Sequence, residues 1–226
     1  MTGGGNLVWV GVLRVTGMEP EGKAMQNFSD PDLDSALIAT IHHECFLMKS
    51  SFDEFLKLGE KQILGELNGL EKVRLFSSYS AFLHHLYEFC VACFMREQGS
   101  DEGFSGRAGA QKKDGLFFSE ASRVFRGIHH RVKAGQGFGW ENAAEYYDVQ
   151  VPADFGTKFR QVRNSTAHAI TERSSGEVDL SEFFENYHKY IMELYRSAYG
   201  YWGRFEIEKL DMKAIGDFSV VTRSIK

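Results

Sequence analysis

Between Glu71 and Glu97 the chain carries Val73, Phe76, Ala81, Phe82, Leu83, Leu86, Phe89, Cys90, Val91, Cys93, Phe94 and Met95. Placed on a helix at about 100° per residue, these side chains run almost completely round the axis. A helix apolar on most sides has to be enclosed by neighbours rather than face water. The stretch therefore asks for several partner helices with broad apolar faces, and the sequence supplies them. Asp32 to Leu58 carries Leu33, Leu37, Ile41, Cys45 and Met48 on one stripe, with capping residue types just before it and Ser50-Ser51 as a candidate break. Leu116 to Lys133 puts Phe117, Ala121, Val124, Phe125 and Ile128 on one face. After Pro152, a residue suited to a first helical turn, Phe155, Phe159, Val162, Thr166 and Ala169 do the same. Asp179 and Glu182 have capping-box spacing ahead of Phe183, Tyr187, Tyr190, Ile191, Leu194, Ala198 and Tyr201. The expectation is an all-α domain, a bundle of about five helices spanning residues 33–203.

The remaining segments are read by exclusion. Residues 1–32 form a leader or poorly ordered extension; Leu7 to Leu13 lacks the basic start and cleavage site of a signal peptide. Gly99 to Gly115, rich in glycine and charge, reads as a mobile surface loop. Gly135-Gln136-Gly137-Phe138-Gly139 reads as a turn, since no strand precedes it and no Gly-Lys-Ser/Thr follows. A short helix covers Glu141 to Tyr147. Residues 204–226 read as a tail or a small β-hairpin.

Composition bounds the function. With 43% hydrophobic and 14% aromatic residues among 226, the chain has ample material for a core. A net charge of −5 argues against a protein that coats nucleic acid non-specifically, but leaves room for a local basic cleft. Such a local reversal occurs from Arg107 to Lys133, where Arg107, Lys112, Lys113, Arg123, Arg126, Arg131 and Lys133 face only Asp114 and Glu120. Three cysteines, an odd number, fit a reducing compartment, and no apolar run reaches the roughly 20 residues of a membrane span. The expected location is the cytoplasm.

The chemistry-bearing stretch is Phe159 to Ala169. Opposite its apolar face, Arg160, Asn164 and His168 fall at i, i+4 and i+8, with Arg163 on the flank. A guanidinium binds anionic oxygens, an imidazole carries protons near neutral pH, and an amide orients either, a set suited to a phosphodiester. The plainer alternative is an amphipathic helix with a solvated polar side.

Arg163-Asn164-Ser165-Thr166-Ala167-His168 resembles the signature of the HEPN superfamily (higher eukaryotes and prokaryotes nucleotide-binding), in which an Arg followed by a polar residue precedes a His near a helix end. The resemblance implies an all-α, dimeric protein and a metal-independent endoribonuclease whose two Arg/His sets form one composite site. Arg163 would then steady charge on the phosphate, His168 would move the proton of the attacking 2′-hydroxyl or of the leaving 5′-oxygen, and Asn164 would orient one of them. No cofactor is implied. Arg160, Arg126 and Arg131 are candidate RNA contacts, and the implied partners are RNA, a second copy, and an antitoxin or associated defence protein, with a toxin, phage-defence or stress role. HEPN toxins that are nucleotidylated by their antitoxin often carry a Tyr two places after the His; Ile170 stands there, which speaks against that form of neutralisation.

Two rival readings stay open. One is an inactive HEPN-like module that binds nucleotides or RNA, or dimerises. The other is a metal-binding bundle using His42-His43, His84-His85 and His129-His130 with Glu44, Glu88 and Glu185-Asn186-Tyr187-His188. Against the latter, Glu44 and Glu88 follow their histidines, and His84 with Glu88 at i, i+4 more often share a hydrogen bond than a metal. Cys90 and Cys93, inside an apolar helix, read as core.

Overall fold

A computed structural model describes residues 30–167 and 179–217 of the chain. Its elements are α1 (Pro31–Ile63), α2 (Gly69–Gln98), α3 (Gly106–Lys133), α4 (Ala144–Tyr147), α5 (Phe155–Ala167), α6 (Leu180–Trp202), a 3₁₀ turn (Ile207–Lys209) and α7 (Lys213–Gly216). The fold is all-α, and among the described residues there is no strand.

The two longest helices form an antiparallel hairpin. Going up α1 and down α2, contacts run from Asp34–Arg96 through Glu44–His85, Phe52–Phe82 and Phe55–Tyr79 to Lys61–Glu71. Asn68 closes the turn with a capping box, accepting from the Glu71 amide while the Glu71 carboxylate accepts from its own. The Ser50-Ser51 pair does not break α1. Serine costs only a few tenths of a kcal/mol in a helix, and Met48 and Phe52, both buried, hold the flanking turns in place.

Helices α3, α5 and α6 cover the exposed sides of that hairpin. Phe117 of α3 is the junction, meeting Tyr87 and Phe94 of α2 and Phe159 of α5. Phe155 and Phe159 continue to Tyr190 and Phe183 of α6, whose Tyr195 returns to Phe52 and Phe82. One apolar core thus runs from Leu37 to Trp202. The residues after α6 fold back onto it: Phe205 packs on the core and on His42, and His43 bonds the Asp211 carbonyl at 2.8 Å. Where a hairpin or tail is expected the described part is helical, and Phe218 to Thr222 lie outside it.

The expected loop from Gly99 to Gly115 is a correction. Helix α3 begins at Gly106, ten residues ahead of the predicted start, and only the short turn before it is irregular. Buried Phe104 anchors that turn, and the glycines that suggest looseness serve a close approach instead. A Cβ on Gly109 would lie 2.4 Å from the Phe104 carbonyl carbon. The lysines likewise tie the segment down, Lys113 donating to the Phe104 carbonyl at 3.0 Å.

Gly156, in the first turn of α5, plays the same part against α3: a Cβ there would meet the Asp114 carbonyl oxygen at 2.1 Å. Backbone cannot yield as a flexible side chain would. Gly156→Ala is therefore expected to destabilise the fold by about 1–3 kcal/mol, seen as a lowered urea midpoint with unchanged slope.

Two histidines built into the core set a pH limit. Burial, with His43 and Arg96 adding to it, lowers the His42 pKa to about 4, and burial with Arg196 lowers that of His188 to about 4. Both are held neutral in the folded state, whereas an unfolded chain takes up their protons near the ordinary 6.5. Stability is thus complete above pH 6.5 and should fall as the pH drops toward 4. Urea denaturation at stepped pH checks this; a flat profile for His42→Phe and His188→Phe together would trace the loss to these two rings.

Candidate functional site

Helix α5 presents its two faces as the spacing predicts for the described part. Phe155, Phe159 and Val162 are buried, while Arg160, Arg163 and Asn164 lie at the edge of the packed interior. His168, Ala169 and Ile170 lie outside the described residues, as does Thr171 to Val178.

Arg163 sits in a polar notch between α5 and α2. Its Nη2 donates to Glu88 and its Nη1 donates to the Asn164 side-chain oxygen at 3.0 Å, while the guanidinium lies 5.5 Å from the centre of the Tyr87 ring. A guanidinium has five N–H donors; these two bonds use one on each Nη, the enclosed Nε holds a third, and one on each Nη is left for a ligand. Asn164 thus steadies Arg163 directly. The Arg163 and Glu88 side chains keep 22% and 29% of their surface exposed, enough for an anion to reach the pair from solvent.

Three enclosed polar atoms around this notch have no hydrogen-bond partner: Arg163 Nε, Tyr87 Oη and His84 Nδ1. Enclosed polar atoms are paired in most proteins, with ordered water among the usual partners, so these three call for a water or a ligand at the notch. Burial, then Asp114 and Glu88, pushes the Tyr87 phenol well up, so it stays a neutral donor. Burial and the Arg163 charge lower the His84 pKa.

The other predicted cations are placed differently. Arg160 is clamped by Asp114 through two 2.8 Å bonds, and Thr157 donates to the same carboxylate at 2.9 Å; this triad docks α5 on α3. Arg131 donates to Glu141 at 2.8 Å and lies over the Phe138 ring, joining the end of α3 to the following turn. Arg126 is exposed on α3, its Nε donating to the Ser122 carbonyl at 3.2 Å. The basic run of α3 is spent largely on local ties of this kind, and Arg107, Arg126 and Lys133 are its exposed members.

The histidine pairs separate as well. His42 is buried against Trp202, His85 bonds Glu44 at 2.8 Å, His129 bonds the Ala144 carbonyl at 3.0 Å, and His188 bonds the Tyr79 hydroxyl at 2.9 Å. Glu88, expected to share a bond with His84, turns to Arg163. Among the described residues no three His, Cys, Asp or Glu side chains gather as metal ligands would. All three cysteines are free and buried, and burial raises their thiols, Cys45 to about 12. No helix among the described residues is long and apolar enough to cross a membrane.

Beside the notch, on the other side of α5, an apolar groove of about 1070 Å³ opens between the ends of α1, α2 and α6. Phe55, Phe76, Tyr79 and Phe184 line it, with Thr166 of α5 at its edge. Glu88, Tyr87 and Asp114 are the site residues that sequence reasoning missed in this role. Their only signal was the His84/Glu88 spacing, which says nothing of a partner on a helix some 75 positions away.

No protein-family profile, curated protein sequence or solved structure matches this chain.

Proposed function

We propose that the protein is a metal-independent endoribonuclease of HEPN type, with Arg163 and His168 as its central groups. The observation that carries the reading is the state of Arg163. It is fixed by Asn164 and Glu88, keeps donors to spare, and sits at the end of a helix whose other face is core. His168 follows Ala167, the last described residue of that helix, directly in the sequence. In such a site Arg163 draws the phosphate in and steadies the charge that builds on its oxygens. The attacking group is the neighbouring ribose 2′-hydroxyl, so a metal has no required part. A composite site across a homodimer would bring two such sets to one phosphate. Three buried free thiols suit the reducing cytoplasm, where a toxin, phage-defence or stress-response nuclease, with or without a neutralising partner, would act.

The nature of the products tests this reading. Incubation with labelled transfer and messenger RNA in excess EDTA should give fragments ending in a 2′,3′-cyclic phosphate and beginning with a 5′-hydroxyl. Fragments with 5′-phosphates, or cleavage stopped by EDTA, would point to a water- and metal-dependent reaction and refute it.

A second reading has an observation of its own. The Arg163–Glu88 pair and the Arg160–Asp114 pair match both arginines of the motif helix with a carboxylate, as a helix built only for docking would. On that reading the protein is an RNA-binding or dimerising module without catalysis, and the same incubation yields intact RNA.

A further inference from the structure

We infer that Trp140 is a stacking platform for an unpaired base of single-stranded RNA, with Arg196 beside it and the exposed face of α3 leading the strand there. This rests on the RNA-directed reading above and extends it to a surface remote from Arg163.

The glycine-rich turn after α3 holds an aromatic pair in the open. Its entry is closed by the Gly135 and Gln136 amides, which donate to the Val132 and Arg131 carbonyls at 2.9 and 3.0 Å. Its exit is held by Glu141, a side chain only 2% exposed, which accepts from the Arg131 guanidinium at 2.8 Å and from the Phe138 amide at 2.7 Å. The Phe138 and Trp140 rings stack with 7° between their planes and 5.7 Å between their centres. The Arg131 guanidinium lies 4.6 Å from the centre of the Phe138 ring, and that of Arg196 lies 5.6 Å from the centre of the Trp140 ring. With these neighbours in place Trp140 is still 62% exposed, whereas Trp202, the other described indole, is wholly buried. A large flat ring is thus fixed in one orientation and left uncovered, so that little ordering is needed when a ligand stacks on it.

Charge selects the ligand. From Ala121 to Trp140 the chain has no Asp or Glu, but it carries Arg123, Arg126, Arg131 and Lys133. The acids that pin the two platform arginines, Glu141 and Glu193, are buried beneath them, so solvent meets guanidinium rather than carboxylate. Arg196 gives Nη1 to Glu193 at 2.7 Å and stays 42% exposed, which leaves donors for a phosphate. On α3, Gly115, Ser119, Arg126, His130 and Lys133 share one exposed face, and none of them is acidic. That face runs roughly 28 Å from the level of Asp114, which clamps Arg160, to the turn. A protein partner would call for apolar side chains around the indole. Leu56, Ile63, Leu64, Leu70 and Val73, which are exposed, cluster instead where α1 turns into α2. An aromatic face bordered by cations suits a nucleobase and its phosphates, since every base has a π-face to stack and the guanidinium takes the backbone charge.

Binding of two dye-labelled strands to the full chain, read by fluorescence anisotropy, tests this: a single-stranded oligoadenylate with every 2′-hydroxyl methylated, and the same backbone without bases. Methylation removes the nucleophile of the proposed cleavage, so binding is measured apart from chemistry. Trp140→Ala should weaken binding of the oligoadenylate by about 5- to 100-fold and leave binding of the abasic strand unchanged. Trp140→Phe, which keeps a π-face, should retain most of the affinity, while Trp140→Leu, which keeps apolar bulk alone, should behave as Trp140→Ala. The oligoadenylate should also quench the part of the tryptophan emission that Trp140→Phe removes. A Trp140→Ala protein that binds the oligoadenylate as tightly as wild type, or that loses both strands equally, overturns the platform and leaves the nuclease reading to its own test. A wild-type protein that binds neither strand and cuts no RNA removes both.

Discussion

Replacing Arg163 or His168 with alanine should lower EDTA-resistant RNA cleavage by about 10²–10⁴-fold, the range for losing a positioned acid, base or charge-stabilising donor. The two losses should differ in kind. His168→Ala removes a proton carrier, so its residual rate should lose part of its pH dependence. Arg163→Ala removes charge stabilisation and also frees Glu88, placing an unopposed carboxylate beside the incoming phosphate. Its KM should rise along with the fall in kcat, and Arg163→Lys should recover little, because an ammonium cannot hold Glu88, Asn164 and a phosphate oxygen in one plane. Folding is a separate matter, since Glu88 is exposed enough to stay hydrated when its partner is lost. Thermal melts of both variants should therefore resemble wild type. Losses under about threefold in the two variants would leave the motif helix with a packing role alone.

The largest expected loss of stability lies at the far end of the α1–α2 hairpin. Arg96 Nε donates to Asp34 at 2.7 Å, with side chains only 4% and 1% exposed. The pair locks the C-terminal end of α2 to the first turn of α1, but Asp34 Oδ2 and Arg96 Nη2 are enclosed without partners. Removing one member strands a buried charge, so Arg96→Ala or Asp34→Ala should cost about 3–5 kcal/mol in urea denaturation. Replacing both, as Asp34→Leu with Arg96→Met, should come close to neutral, since the desolvation of two charges is avoided together. Single variants within about 1 kcal/mol of wild type would mean that water reaches the pair.

The fold was legible where periodicity speaks for itself. The apolar run from Phe82 to Met95 calls for an enclosed α2, and the structure encloses it from Tyr79 onward, while Val73 and Phe76 in its first turns stay exposed because no helix covers them there. Asp179 caps α6 as its spacing predicts, accepting from the Ser181 amide at 2.7 Å. The start of α3 was not legible, because Gly106 and Gly109 look like loop residues until Phe104 is seen beneath them. The site was legible only on one side. The spacing of Arg160, Arg163 and Asn164 gives their face, but their partners Asp114 and Glu88 come from other helices, and only packing sets which carboxylate meets which cation. That is why Arg160, read as a candidate RNA contact, is found clamped to α3, while His84, read as one of a metal-like pair, stands near Arg163.

Everything proposed for the site turns on the ribose hydroxyl, and no metal-bound water, attacking the phosphate beside Arg163. The most direct measurement is the rate at which purified protein cuts an RNA in excess EDTA, beside the same RNA with every 2′-hydroxyl methylated. The first RNA should be cut, with the cutting lost in His168→Ala, and the second should not. Equal cleavage of both RNAs, or RNA left whole by the wild-type protein, would contradict it.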